Sequence, residues 1–458
     1  MNRINIQQPL DKTVAFLTLG CKVNSYETDA MEQLFRSAGY EVKEFSEQAS
    51  VYVINTCTVT NIADRKSRQM IHRAKKINPD GIVVAVGCYV QAAKETLEAD
   101  EMIDIVIGNN QKNLIVKAVE QYQISQDETM EMLVDIHEEQ SYEELEIGSA
   151  GEKTRAYIKI QDGCNQFCSY CIIPYVRGRI RSRGTKDILK ETNRLVELGY
   201  KEVVLTGIHL SSYGVDLLGD TDFVKYHGQP LIDLVEEISK VEGIERIRFG
   251  SLEPRIITEQ FVKTLSQNSK FCPHFHLSLQ SGCKETLKRM NRKYTAEEYY
   301  EKCVLLREHF HMPAITTDVI VGFPGETEEE FLVTEQFLKK VAFAQLHIFK
   351  YSKRKGTKAE AMPNQVPEQI KNVRSNKLIT ASQVMRQEYE DYFIGSIQKV
   401  LIEEEILFNE VPYYVGHNER YIKVAVPVNQ ENTSLENQMI EVLVTKRLKE
   451  DVLLGEVK

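Results

Sequence analysis

The sequence predicts an α/β chain in three parts: an N-terminal doubly wound parallel-sheet domain, a central partial (βα)6 barrel and a small all-β barrel at the C-terminus. Three observations predict it. Strand-like apolar runs alternate with helical spacing over 13–125. A strand-then-helix unit repeats over 150–365, and helical periodicity disappears from 391 to 458. A chain of 458 residues also has room for three domains of ~150 residues each.

In the first part, TVAFLTLG (13–20), SVYVINT (50–56), GIVVAVG (81–87) and MIDIVIG (102–108) read as buried strands. Residues 24–38 have helical spacing, with Asn24 placed to cap the helix, Glu27 at the reciprocal position and Gly39 as its stop. A long basic helix is expected from about 60 to 77. Residues 126–147 carry nine acids and no Lys or Arg, so 126–149 reads as an acidic linker or solvated surface segment.

In the second part six candidate strands stand at 155–161, 202–208, 246–251, 274–280, 315–322 and 344–352. A complete barrel of this type has eight units and works at the carboxyl ends of its strands, so six imply a barrel open on one side. Residues 366–390 read as a connecting helix, and five short runs after 391 suffice for a small closed barrel of the oligonucleotide-binding sort.

Composition narrows the chemistry. Hydrophobic content of 42 % and charged content of 27 % are ordinary for a globular protein. The formal net charge of −10 argues against uniform coating of a polyanion, so nucleic-acid contact would have to come from local basic patches. Residues 1–12 have no apolar core of a secretion signal, and stretches such as GIVVAVGCYV are about half a membrane span. The reading is therefore a cytoplasmic protein with no membrane association. Its nine cysteines should stay reduced, for metal or redox chemistry.

Six of those cysteines fall in two triads. Cys21, Cys57 and Cys88 each follow one of the first-part strands, and ligand sites of open parallel sheets form outside the carboxyl ends of strands. Unrelated core packing is the alternative for any one of them. Three in turns at one sheet edge favour a shared metal site. Cys164, Cys168 and Cys171 lie in GCNQFCSYC, spaced C-x3-C-x2-C, just after the first barrel strand. Structural zinc prefers four ligands; His209, the next histidine, is one strand further on. Three thiolates suit a four-iron cluster whose fourth iron stays open. A zinc knuckle completed by a distant ligand is the competing reading. Cys272, Cys283 and Cys303 fit no ligand spacing and read as packing residues.

C-x3-C-x2-C after the first strand of a βα barrel resembles the signature of radical S-adenosylmethionine enzymes. More specifically, TLGCKVNSYE (18–27), INTCTV (54–59), VGCY (86–89) and GCNQFCSYCIIPYVRGRIRSR (163–183) resemble the methylthiotransferases of that superfamily. So do LTGIHLSSYG (205–214), SLEP (251–254), HLSLQSG (276–282), MNRKY (290–294) and DVIVGFPGET (318–327), in the right order over nearly the full chain. The resemblance implies two 4Fe-4S clusters. Cys164, Cys168 and Cys171 would hold the one that binds S-adenosylmethionine and generates a 5′-deoxyadenosyl radical. Cys21, Cys57 and Cys88 would hold an auxiliary cluster that presents sulfur for methylation and insertion at a C–H bond. Cofactor contacts are expected at strand ends: Thr206 and Gly207 for the methionyl amino group, Ser251 and Glu253 for the ribose or amino group. Gln280 and Arg292 would add polar contacts, and Val321 and Gly322 would flank the adenine; each is equally an ordinary strand-end position.

The first motif also carries a substrate expectation. LGCKVN matches the family group acting on threonylcarbamoyladenosine in tRNA, whereas YGCQMN marks the isopentenyladenosine group and LGCPKN the ribosomal-protein group. Ser25 departs from the expected Gln. The resemblance thus implies insertion at C2 of the modified adenosine at position 37. It also implies a tRNA anticodon loop as partner, an electron donor such as flavodoxin or ferredoxin, and a sulfur source. Action on a ribosomal-protein aspartate, or a non-catalytic iron–sulfur RNA-binding role, are the alternatives. Arg177, Arg179, Arg181 and Arg183 in RGRIRSR are the expected phosphate contacts, with Arg183 also weighed for the cofactor. Other basic clusters, such as RKSRQMIHRAKK (65–76), read as solvated surface. The C-terminal barrel resembles the family's TRAM module, associated with RNA binding, yet 391–458 holds 7 Lys/Arg against 12 Asp/Glu. Tyr413, Tyr414 and Tyr421 suit either base stacking or a small core.

Overall fold

VYVINT and IVVAVG are buried at every position, as strands of a parallel sheet covered on both faces must be. A computed structural model of the protein describes residues 11–93, 97, 100–125, 130–148, 154–429 and 434–458. It divides the chain into two units, residues 1–150 with 171–179 and residues 151–170 with 180–458.

The first unit is built on six parallel strands: β1 (Thr13–Thr18), β2 (Glu41–Lys43), β3 (Val51–Thr56), β4 (Ile82–Gly87), β5 (Ile105–Ile107) and β6 (Met130–Met132). Their order is β2-β1-β3-β4-β5-β6. Alternate residues feed the two faces: Val51, Val53, Val84 and Val86 pack into one core, and Tyr52, Ile54, Val83 and Ala85 into the other. Connections from β1 and β3 leave in opposite directions, which makes their carboxyl ends the switch point of the sheet. Helices α1 (Lys22–Ser37), α2 (Asn61–Ile77) and α3 (Cys88–Ala92) start at the ends of β1, β3 and β4.

Three expectations change here. α1 begins at Lys22 with Cys21 at its N-cap, so Asn24 and Glu27 form no capping box. The Asn24 amide instead donates to the carbonyls of Leu19 (2.8 Å) and Thr56 (3.0 Å) at the ends of two strands. The acidic segment is not wholly a linker: Met130 and Met132 pack on the sheet core as part of β6. Positions 126–129 and 149–153 of that expected boundary, like residues 1–10, lie outside the described residues. Finally, residues 171–179 belong to the first unit, because Ile172 and Val176 pack against Cys88.

In the second unit the strands are β7 (Arg155–Asp162), β8 (Arg181–Ser182), β9 (Glu202–Gly207), β10 (Arg246–Phe249), β11 (Ser251–Leu252), β12 (His274–Leu277), β13 (Ala314–Val321) and β14 (Gln345–Lys350). They form two four-stranded sheets, β10-β9-β7-β8 and β11-β12-β13-β14. A parallel bridge from Ile247 to Phe271 joins them, and Gly250 marks the break between β10 and β11. Six parallel staves result, as expected of a partial barrel, with β8 an added antiparallel edge. Residues Glu368–Asp391 form the long helix that leads to the last part. There β15 (Ile397–Phe408), β16 (Val411–Asn418), β17 (Lys423–Pro427), β18 (Met439–Lys449) and β19 (Val452–Val457) close a barrel in the order β15-β16-β17-β19-β18.

That small barrel docks on the amino ends of β7, β9 and β10. Arg246 donates to the carbonyls of His417 (2.9 Å) and Lys399 (2.6 Å), and Arg248 to that of Glu419 (2.9 Å). Arg155 reaches Glu403 at 3.1 Å. Buried among them, Glu202 bonds Arg248 at 2.8 Å. Burial pushes its carboxyl up, but Arg248, Arg155 and Arg246 outweigh that and hold it at about 2. Glu202→Gln leaves these arginines without their shared counter-charge. It is expected to cost the second unit about 3–5 kcal/mol, read from urea unfolding by circular dichroism; a loss below ~1 kcal/mol would contradict this account.

Candidate metal centres

The thiols of the first triad stand where β1, β3 and β4 hand the chain to the next helix. Cys21 caps α1, Cys57 directly follows β3, and Cys88 opens α3. An added Cβ on Gly20 would meet Cys57 Cβ at 3.0 Å and Sγ at 3.1 Å, so only glycine lets the β1 turn pass the Cys57 thiol. Burial raises the Cys57 thiol to about 11; Arg177 pulls it down, and the neighbouring Cys88 and Cys21 raise it further. Cys21 remains exposed while Cys57 and Cys88 are buried. The three therefore share one crevice, open at Cys21.

Around them lies a buried polar network. Arg177 donates through Nε to Cys88 Sγ (3.2 Å), through Nη1 to Glu27 (2.8 Å) and through Nη2 to Asn24 Oδ1 (2.9 Å). Lys112 Nζ lies 3.3 Å from Glu27 and donates to Asn109 Oδ1 at 2.8 Å. Asn109 in turn directs its amide to Cys88 Sγ (3.7 Å) and the Val176 carbonyl (2.7 Å).

The expected phosphate stripe is thus largely a misreading. Arg177, Arg181 and Arg183 are buried, and Arg183 pairs with Glu191 rather than with a cofactor group; Arg179 alone is exposed. Four arginines in seven residues have the composition of a surface patch, but Arg177 turns inward onto Glu27, 150 residues away, and Arg183 onto Glu191, eight residues on. The exposed cations sit on α2 instead, where Ser67, Ile71 and Ala74 face the sheet and Arg65, Lys66, Arg68, Arg73 and Lys76 face outward.

In the second unit, Cys164 and Cys168 occupy the loop after β7, and Cys171 follows three residues on. The loop is pinned on several sides. Ser169 N–H donates to the Met290 carbonyl (3.0 Å), Asn291 donates to the Phe167 carbonyl (3.0 Å), and Arg255 donates to Gln166 Oε1 (2.9 Å). Arg292 aims Nη1 at Cys168 Sγ (3.3 Å), with Nη2 on the Ser278 carbonyl and Nε on Tyr294. Burial raises the Cys164 thiol to about 12, against the Gln166 N–H and Arg292.

The expected cofactor positions gather at this carboxyl-end face, with different duties. Glu253 is bonded to Arg255, which links it to the cysteine loop, and Ser251 meets Ser278 at 3.0 Å. Gly207 lies against Gln161, whose side chain a Cβ would meet at 2.9 Å, and Thr206 is buried beside it. Gln280 holds φ +72° and bridges Val319. Val321 is buried in the core, while the Gly322 N–H donates to Glu326 (2.6 Å). His209, weighed only as a remote zinc ligand, also stands at this face. Its N–H donates to Gln161 Oε1 (2.7 Å), its Nδ1 meets Ser212 (2.7 Å), and its ring lies edge-on to Phe223. Burial, with Arg292 and Arg255, lowers its pKa to about 3, so it is neutral, and among the described residues its Nε2 has no partner. Its place just after β9 was the only signal in the sequence. Cys272, Cys283 and Cys303 are buried, as expected.

Among the described residues, no three His, Cys, Asp or Glu side chains converge as ligands of one metal ion. A four-iron cluster holds its irons one per thiolate at separate corners. Three soft sulfur donors with no fourth are what such a group takes, and the raised thiols mean that loading must release protons. Removing the Arg292 contact through Arg292→Leu is expected to weaken iron retention at the Cys164, Cys168 and Cys171 site about 10–100-fold. Iron analysis against a chelator series reads this; unchanged retention would sink it.

Comparison with known proteins agrees with this geometry. Residues 13–108 match the Uncharacterized protein family UPF0004, and residues 158–338 match the Radical SAM superfamily. The threonylcarbamoyladenosine tRNA methylthiotransferase MtaB of Bacillus subtilis is 44 % identical over 413 residues, 90 % of each chain. MtaB of Aquifex aeolicus is 42 % identical, across 87 % of this chain and 94 % of that one. A tRNA-2-methylthio-N(6)-dimethylallyladenosine synthase of Finegoldia magna is 34 % identical, across 86 % and 84 %. Among solved structures, the radical S-adenosylmethionine methyltransferase TsrM of Kitasatospora setae, with cobalamin and a [4Fe-4S] cluster bound, superposes with a TM-score of 0.54 at 13 % identity. It covers 77 % of this chain and 74 % of that one, a likeness of fold. S-adenosylmethionine and one 4Fe-4S cluster come with the superfamily. With relatives above 40 % identity over most of both chains, the protein is an enzyme of the radical S-adenosylmethionine methylthiotransferase family.

Proposed function

We propose that this enzyme inserts a methylthio group at C2 of N6-threonylcarbamoyladenosine at position 37 of tRNA. The observation that carries the reading is the presence on one chain of two cysteine triads, one at the carboxyl ends of β1, β3 and β4 and one, spaced C-x3-C-x2-C, after the carboxyl end of β7. The names of the relatives at 44 % and 42 % identity support the choice of nucleoside, as does the LGCKVN motif around Cys21.

When bound, the cluster at Cys164, Cys168 and Cys171 with S-adenosylmethionine supplies radical chemistry, and a second cluster at Cys21, Cys57 and Cys88 supplies sulfur. The chain's part is positioning. Arg292, Arg255 with Gln166, and Asn291 hold the C-x3-C-x2-C loop, and the strand-end residues from Thr206 to Gly322 shape its surroundings. An electron donor of the flavodoxin or ferredoxin type and a separate sulfur source complete the cycle, in the cytoplasm. No helix among the described residues is long and apolar enough to cross a membrane.

For tRNA, the outward face of α2 replaces the buried arginines as the phosphate-contacting surface. Tyr421 is taken up between Arg155, Arg248 and His417, and Tyr414 is buried in the barrel core, so neither supports base stacking. Tyr413 packs partly buried against a smaller cluster.

Nucleoside mass spectrometry of tRNA, with and without the gene, tests the reading. The account expects 2-methylthio-N6-threonylcarbamoyladenosine to vanish when the gene is absent. Its persistence, or loss of the methylthio-isopentenyl nucleoside instead, would contradict it. Arg65→Glu with Arg73→Glu and Lys76→Glu is expected to weaken tRNA binding at least tenfold and to flatten its salt dependence. An unchanged salt slope would remove α2 from the interface.

A further inference from the structure

Glu27, Lys112 and Arg177 each show 0 % exposure, so two cations and one carboxylate are sealed inside the first unit. Arg177 turns part of its guanidinium to the thiol edge: Cys88 Sγ receives the Arg177 Nε–H at 3.2 Å and the Asn109 amide at 3.7 Å. Cys21 and Cys57 feel the same guanidinium.

We propose that the Arg177–Glu27–Lys112 set is an electrostatic positioning element that raises the electron affinity of the metal group at Cys21, Cys57 and Cys88. This rests on the reading that those thiols hold a cluster. Cluster potentials follow net charge, hydrogen bonds to sulfur and solvent exposure. One-electron reduction adds one negative charge to the group; a fixed guanidinium with an N–H on a ligand sulfur stabilises the reduced form. Glu27 opposes it and holds the guanidinium in place through two bonds, at 2.8 and 3.1 Å. Arg177 reaches Cys88 because Ile172 and Val176 seat its helix, Ile173–Arg177, against α3. Six residues upstream is Cys171, the last thiol of the other triad. The segment that leaves one metal site therefore supplies the charge that tunes the other.

The test uses the full-length chain with Cys164, Cys168 and Cys171 changed to Ala, loaded anaerobically with iron and sulfide and titrated with dithionite under electron paramagnetic resonance. Arg177→Gln is expected to shift the one-electron reduction equilibrium at least tenfold toward the oxidised form, about 59 mV. Glu27→Gln, which is isosteric, is expected to shift it the opposite way, and Arg177→Lys to fall between Arg177→Gln and the parent. Opposite signs separate electrostatics from general loosening, which would move both variants alike. If Arg177→Gln does not retain iron, the Glu27→Gln shift decides alone. Shifts that are absent or of the same sign, with iron retained, overturn the proposal. A parent protein that binds no iron overturns instead the reading that Cys21, Cys57 and Cys88 hold a cluster.

Discussion

A carboxylate with no access to water must find cations, and Glu27 finds two. Lys112 comes from the far side of the sheet's chain order, and Arg177 from a segment about 150 residues downstream in sequence. Breaking such a buried set by removing one partner costs about 3–5 kcal/mol. Together with the packing of Ile172 and Val176 on Cys88, that requirement holds residues 171–179 in the first unit and sets Arg177 against Cys88 and Asn24. The thiol edge at β1, β3 and β4 is arranged around it.

The second unit solves a similar problem at its opposite end. At the amino ends of β7, β9 and β10, Glu202 accepts from Arg248; Arg246 and Arg248 donate to carbonyls of the small barrel, and Arg155 and Arg248 stack on Tyr421. At the carboxyl ends charge is spent on the cysteine loop instead: Arg292 donates to Cys168, and Arg255 ties Glu253 to Gln166, with the neutral His209 beside them. The acidic small barrel is consistent with this placing, since several of its polar groups are already committed to the staves.

Legibility in the sequence followed locality. Strands such as β3 and β4, largely apolar runs, and the C-x3-C-x2-C spacing could be read because their signals lie within a few residues, and Cys21, Cys57 and Cys88 could each be placed by the strand just before it. What escaped needed contacts between distant residues. Asn24 and Glu27 carry the local pattern of a capping box, but burial redirected both to partners far along the chain. RGRIRSR has the composition of a phosphate stripe, yet Arg177 answers Glu27, 150 residues away. β6 hid in an acidic run because two methionines are too few to set a period, though enough to pack a sheet edge. Tyr421 offered stacking by type, but its stacking is spent on Arg155, Arg248 and His417.

The account stands on both triads being metal sites of the same kind, each with one corner left without a protein ligand. Iron and acid-labile sulfide per polypeptide, measured on anaerobically loaded wild-type protein, test that directly. Two cubanes predict roughly eight irons. A ceiling near four would mean that the thiols after β1, β3 and β4 are only packing residues, and the account would be contradicted.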